Sequence, residues 1–331
     1  MNTFRGLAAI TLMLLSTSAF ALQKKTFCVY DPVGKSGPAM SFFTDLKAKA
    51  IGWGLDLDMH AYTDEKVASN EFKAGNCDMV FLTAILALPY VPFGGTLGVT
   101  GGIINEKQLN VVIKSLTNPK VGQNLINGNY EMAGVLPVGS VYMFVNDQQI
   151  DTIPEFSGKR MSVLNASPQA YLMSELVGAT PVGTSLATFS GQFNNGSIEL
   201  LPMVALAYNT FELYQGLGEK GGIWDEMISY GMMEILTHRD RFEDGFGQKM
   251  REYMLSRVAE INRLVKTAED EIPAKYWMKT SPESVKELNE LKRKIRFTLK
   301  DKNVLNGTAL TMLWKIRCSV NPDNAECATP E

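Results

Sequence analysis

The residues best placed to touch a small molecule stand where strand-like runs end. The stretch 29–37, VYDPVGKSG, sets Asp31, Lys35 and Ser36 in a loop between a strand-like run and a helix-like one. A carboxylate, an ammonium and a hydroxyl there would meet a ligand beside free backbone N–H groups at the carboxyl edge of a sheet. Gly34-Lys35-Ser36 also has the ending of a phosphate-binding loop. That loop needs a glycine five residues before its Gly-Lys pair, and Val29 occupies the place. Nucleotide binding is therefore not expected.

A second set combines flat apolar area with hydrogen-bonding capacity: Tyr142, Asn165, Tyr208 and Asn209, all near the ends of strand-like runs, with Thr83 closing the run CDMVFLT. Such residues suit a small polar ligand held between two halves of a protein. Ser162, in GKRMSVLN, joins this set for a reason given below. Signs of catalysis are scarce. The sequence has no G-x-S-x-G elbow, no H-E-x-x-H and no glycine-rich dinucleotide fingerprint between a strand and a helix. His238, in ILTHRDRF, reads as a structural histidine, so neither an enzyme nor a cofactor is expected.

Four cysteines, Cys28, Cys77, Cys318 and Cys327, offer two disulfides in an oxidising compartment. Three connectivities are possible, and the pairing chosen is Cys28 with Cys77 and Cys318 with Cys327. A zinc site is not expected, because neither these spacings nor His60 and His238 make a recognisable ligand set.

The elements that must position these residues begin after a secretory signal expected over 1–21. There Arg5 precedes the apolar LAAITLMLL, and Ala19-Phe20-Ala21 supplies small residues for cleavage. The protein is 331 residues long with a formal net charge of −3, mixed along the chain, so nucleic acid is excluded as a partner. Strand-like TFCVYD, LDLDMHAY and CDMVFLT alternate with helix-like GPAMSFFTDLKAKAIGWG and DEKVASNEFKAG, which implies βαβ units and a parallel sheet. A first lobe is expected over 22–137, to which 230–250 returns, and a second over 138–229, entered through the crossing strand GSVYMFVND. Long helices over 251–331 are expected to brace the lobes. In one of them, Ser281 caps, Pro282 takes the first helical position and Glu283 adds an acid to the first turn.

The order of FKAGNCDMVFLTA, GKRMSVLNASPQAY, VGATPVG and FNNGSIELLP, ending in long helices, resembles the periplasmic solute-binding proteins of tripartite ATP-independent periplasmic (TRAP) transporters. The resemblance spans most of the chain after the signal. It is nearest to a divergent branch known only as solute-binding proteins, some of them labelled efflux-pump accessories. It implies an α/β, two-lobed periplasmic-binding-protein-like fold of type II, with parallel-sheet lobes, crossing strands and long C-terminal helices. It also implies a small-molecule ligand in the cleft, a membrane permease as partner and a periplasmic location. An envelope or efflux-pump accessory that kept the fold without transport is the alternative. In that family, the strand after the Gly-Lys segment carries an arginine that grips a ligand carboxylate bidentately. Aligning Gly158, Arg160 and Val163 on that pattern places Ser162 where the arginine would stand. Either the ligand is then not a simple carboxylate, or another cation such as Lys35 replaces the missing one.

Overall fold

The computed structural model describes residues 21–331, so the signal segment expected over 1–21 lies outside the described residues except for its last position. The first third follows the alternation seen in the sequence. Strand β1 (Gln23–Tyr30) leads to helix α1 (Pro38–Ile51), then β2 (Leu55–Tyr62), α2 (Glu65–Lys73) and β3 (Met79–Thr83). The three strands are parallel, with β1 in the middle. Helix α2 starts where it does because the Asp64 carboxylate accepts from Lys66 N at 2.8 Å and Val67 N at 3.2 Å. Phe43 of α1 stands edge-on to Phe27 and Phe81, each 4.9 Å away, which locks the helix over β1 and β3.

After helix α3 (Glu106–Leu116) the chain enters β4 (Tyr130–Val145), sixteen residues long. Strand β5 (Arg160–Leu164), helix α4 (Pro168–Leu176), β6 (Thr180–Thr184), helix α5 (Phe189–Asn194) and β7 (Leu200–Val204) form a second α/β unit. Its strands β7, β5 and β6 are parallel to one another. Short β8 (Gly222–Trp224) adds to β4, and β9 (Ser229–His238) returns the chain to the first strands. The main path of the sheet is therefore β2-β1-β3-β9-β4-β7-β5-β6: two parallel blocks joined by two antiparallel crossing strands, β9 and β4. The crossing run expected from GSVYMFVND is only the far end of β4. The strand begins eight residues before Val138, because Met132 to Val138 are as apolar on both faces as a buried strand demands.

Three long helices complete the chain: α6 (Phe246–Asp270), α7 (Pro282–Asp301) and α8 (Gly307–Val320). Helix α6 runs along β4, and two glycines permit the close approach. A Cβ at Gly134 would sit 2.8 Å from Met254, and one at Gly139 would sit 2.8 Å from Val265. Helix α7 has Ser281 as its N-cap, its hydroxyl accepting from Ser284 N at 3.1 Å, with Pro282 at the first helical position. Both chosen disulfides are formed, Cys28–Cys77 tying β1 to the start of β3's segment and Cys318–Cys327 closing the tail onto α8. No helix among the described residues is long and apolar enough to cross a membrane.

Candidate functional site

The strand register fixes where a ligand would sit. Met233 of β9 pairs with both Thr83, the last residue of β3, and Leu136 of β4. On the other side, Val204, the last residue of β7, pairs with Val141 of β4. The first block therefore ends at the level of Leu136, and the second, running the opposite way, ends at the level of Val141. The carboxyl edges of the two blocks point at each other across five residues of β4, roughly 17 Å of extended chain. This seam is where open α/β folds bind ligands, because loops and helix N-termini gather at carboxyl edges.

On the first block's side, Asp31 is fully buried, and its carboxylate accepts from Val33 N and Met40 N, both at 3.0 Å. It thus seats the start of α1, and Gly37 must be glycine because a Cβ there would strike that carboxylate. Lys35 and Ser36 are exposed beside it. Thr83 caps the next turn through its hydroxyl, and its backbone N–H donates to Glu65 Oε1. Burial pushes the Glu65 carboxyl up to about 7, although it keeps that hydrogen bond. The sequence reading passed over Glu65; its signal was the Asp64-Glu65 pair at a strand-to-helix junction.

On the second block's side, Ser162 is buried, its hydroxyl 3.0 Å from that of Thr184, which in turn donates to Val163 O at 3.2 Å. Asn165 stands exposed at the end of β5, its Oδ1 3.5 Å from the Tyr171 hydroxyl. Arg160, on the same face of β5 as Ser162, is bound at the far end. Its Nε donates to Glu199 Oε2 at 3.1 Å and an Nη to Gly196 O at 2.9 Å.

A third group gathers at the end of α6. The Tyr142 hydroxyl donates to Glu269 Oε1 at 3.4 Å and its ring stands edge-on to Trp277 at 5.0 Å. Burial, with Glu269 nearby, pushes the Tyr142 hydroxyl up to about 12, and burial also raises the Glu269 carboxyl. Asn209 donates to Glu271 Oε2 at 2.7 Å. Tyr208 is packed in the core of the second block near Tyr214 and Tyr276. The candidates thus fall into three clusters around one seam, with the Asp31 carboxylate engaged by the backbone and the Tyr208 ring turned into the core. His238 lies elsewhere, buried against Phe72 and Tyr130 with Nε2 2.8 Å from Phe72 O, which is a structural placement.

Two features bear on the seam itself. Leu186, just past β6, packs against the apolar cluster of the second block and against the cluster that the first block shares with β4, β9 and α6. Gln169 at the start of α4 accepts from Thr100 N at 2.9 Å and from the Thr100 hydroxyl at 3.2 Å. Beside that second contact, Ile85, Val99, Pro168 and Leu305 enclose only about 20 Å³. Two larger cavities, of about 500 and 570 Å³, lie outside the seam, against the C-terminal helices.

Residues 47–331 match the family of solute-binding proteins AdeT 1/2. The protein named "Probable solute-binding protein AdeT1" of Acinetobacter baumannii is 32% identical over 300 residues, covering 91% of this chain and 99% of its own. The chain belongs to the AdeT solute-binding family. AdeT2 of the same organism is 24% identical over 234 residues, covering 71% of this chain and 98% of its own. Among solved structures, the fold is shared with a TRAP periplasmic solute-binding protein of Desulfovibrio salexigens bound to orotic acid. The TM-score is 0.74 at 8% identity, with 90% of this chain and 99% of that one covered. The ectoine-binding protein of the Halomonas elongata TeaABC transporter aligns with a TM-score of 0.72 at 10% identity, over 89% of this chain and 97% of its own. The chain thus shares the fold of TRAP solute-binding proteins, and in it the two carboxyl edges face each other on shared crossing strands.

Proposed function

We propose that this chain is a periplasmic solute-binding protein whose seam closes on a small polar molecule that is uncharged or cationic, for delivery to a membrane permease. In this reading residues 22–137 with 230–250 form one lobe, 138–229 the other, and 251–331 brace the two. Lys35, Ser36, Thr83, Tyr142, Ser162 and Asn165 line the cleft, while Asp31, Tyr208 and Asn209 hold its walls. The observation that carries the ligand class is the placement of Arg160. Its guanidinium is spent on Glu199 and Gly196 at the far end of β5, and Ser162 presents only a hydroxyl already paired with Thr184. A fixed bidentate grip on a carboxylate is therefore missing where the blocks meet, whereas two carboxyl groups, Glu65 and Glu269, border the seam. Lys35, exposed and on a flexible stem, is a weak substitute for a guanidinium.

Closure follows from the same geometry. A ligand bridging both edges favours the closed arrangement only by its preference for that arrangement, and Leu186 already supplies an apolar contact that closure must make. The test is native mass spectrometry of the protein purified from its own periplasm without refolding. One small uncharged or cationic molecule should be released on denaturation, and its retention should fall in a Tyr142→Ala variant.

A second reading is favoured by one observation. Beside Gln169 the space between the blocks is narrowed to about 20 Å³, as a protein that kept the fold as an envelope or efflux-pump accessory would have it. Chain devoid of any small molecule, yet retained on a membrane pump in pull-downs, would support that reading over the first.

A further inference from the structure

Helices α7 and α8 meet at a sharp turn, and beside it lies the cavity of about 570 Å³, outside the seam. Its floor is apolar, formed by Phe93, Val121, Met312 and Ile316, and its only charged lining groups are Lys300 and Lys315. Met312, Lys315 and Ile316 follow one another at i, i+3 and i+4, so α8 presents one continuous stripe in which an ammonium stands among apolar side chains. Lys300 reaches the same space from the last turn of α7. Neither lysine forms a salt bridge among the described residues, although twelve other basic side chains do, and no carboxylate lines the cavity. In a chain of net charge −3, a concave apolar surface with two unneutralised cations and no acid is a complementary surface for one kind of molecule.

We propose that this cavity is a second ligand site, which takes an amphipathic carboxylate: an anionic head between Lys300 and Lys315, and a short hydrocarbon body against Phe93, Met312 and Ile316. The neighbouring cavity of about 500 Å³ shares Gly307 with it and is lined by Leu88, Pro89, Pro92, Val304 and Leu305, with no charged group. A hydrocarbon chain that extends past Gly307 would therefore meet a neutral, partly apolar surface. The chemistry differs from that of the seam, where Arg160 is already paired and offers no guanidinium to an anion, so the two sites sort solutes by charge.

The experiment is calorimetric titration of the full exported chain with octanoate and, separately, with octanamide. Octanoate should bind saturably at one site, with octanamide about ten-fold or more weaker, because the amide keeps the hydrocarbon and loses the charge-assisted bonds. The Lys300→Ala/Lys315→Ala variant should lose octanoate binding by at least about ten-fold while melting at the wild-type temperature, since both side chains lack partners to lose. A seam variant, Tyr142→Ala, should bind octanoate as the wild type does, which separates this site from the seam whatever the fate of the seam's own ligand. Equal affinity for acid and amide, unchanged binding by the double-lysine variant, or loss in the seam variant would each overturn the proposal. So would attachment to phosphatidylglycerol vesicles without saturable octanoate binding, which would make the patch a lipid-facing surface instead.

Discussion

Gly231 and Gly139 are direct partners across the two crossing strands, midway between the edges of the two parallel blocks. Gly139 has φ +103°, a region that side chains avoid, and the strand register slips between Gly231 and Met232. A Cβ at Gly231 would lie 2.7 Å from Val204 and 2.9 Å from Val138. The joint between the blocks is thus made of two glycines whose backbone conformation and close packing leave no room for a side chain.

Replacing Gly139 by alanine adds both a left-handed backbone penalty and a contact with Val265. The expected loss is about 2–4 kcal/mol of unfolding free energy. Urea denaturation measures it; a loss under about 0.5 kcal/mol, the level of an unremarkable surface change, would show that the position tolerates a side chain after all.

The tail is held by a buried charge network. The Glu331 carboxylate receives Arg296 Nη at 2.7 Å and Arg317 Nη at 2.8 Å, and the same two arginines reach Thr100 O and Gly102 O. Burial opposes ionisation of Glu331, but the two guanidiniums outweigh it and hold the carboxyl below the ordinary carboxylate range. A depressed carboxyl contributes stability above its unfolded value and loses it as pH falls through the folded one. Glu331→Gln should therefore cost about 3 kcal/mol at most near pH 7, because it removes the more buried of the two carboxylates that pair with Arg296 and Arg317 and leaves only Glu326, and visibly less near pH 3. A cost that does not change with pH would mean that the lost charge is not the cause.

Glu65 has the opposite sign. Its raised carboxyl, at about 7, makes the neutral form the folded preference, so its contribution is full below the ordinary carboxylate value and gone once pH has risen through about 7. Glu65→Gln keeps an acceptor for Thr83 N and removes the titration. Its melting point should match the wild type at pH 4 and exceed it at pH 8 by a few degrees. An equal difference at both values would contradict the assignment.

The two disulfides should differ in worth. Cys28–Cys77 spans 49 residues and Cys318–Cys327 only 9, so the first restrains the unfolded chain more. Replacing the first pair by alanine should cost about 4 kcal/mol and the second about 2–3 kcal/mol. Equal losses, read from denaturant midpoints at matched slopes, would place the stabilisation in native contacts instead.

The sequence disclosed the alternation of β1 to β3, the return strand β9, all three long helices and both disulfides, because each is written in local periodicity, capping residues or cysteine number. It did not disclose the clustering around Glu269 and Glu271. Tyr142 and Asn209 meet those carboxylates across 127 and 62 residues of chain, a juxtaposition that no local pattern encodes. Asp31 was legible as a loop residue but not as a helix cap, since Met40 N lies nine residues on. Leu186 was illegible for a similar reason: an apolar residue in a polar loop gains meaning only when the facing block is in place.

The central claim is that the facing edges of this chain hold a polar solute without a guanidinium grip. Thermal melting against a small-molecule collection sorted into uncharged, cationic and carboxylate classes tests it most directly, because a ligand that binds only the native state must raise the midpoint. For the Lys300→Ala/Lys315→Ala variant, uncharged or cationic members should raise the midpoint and carboxylates should leave it in place. A rise with carboxylates alone, or no rise with any class, would contradict the account.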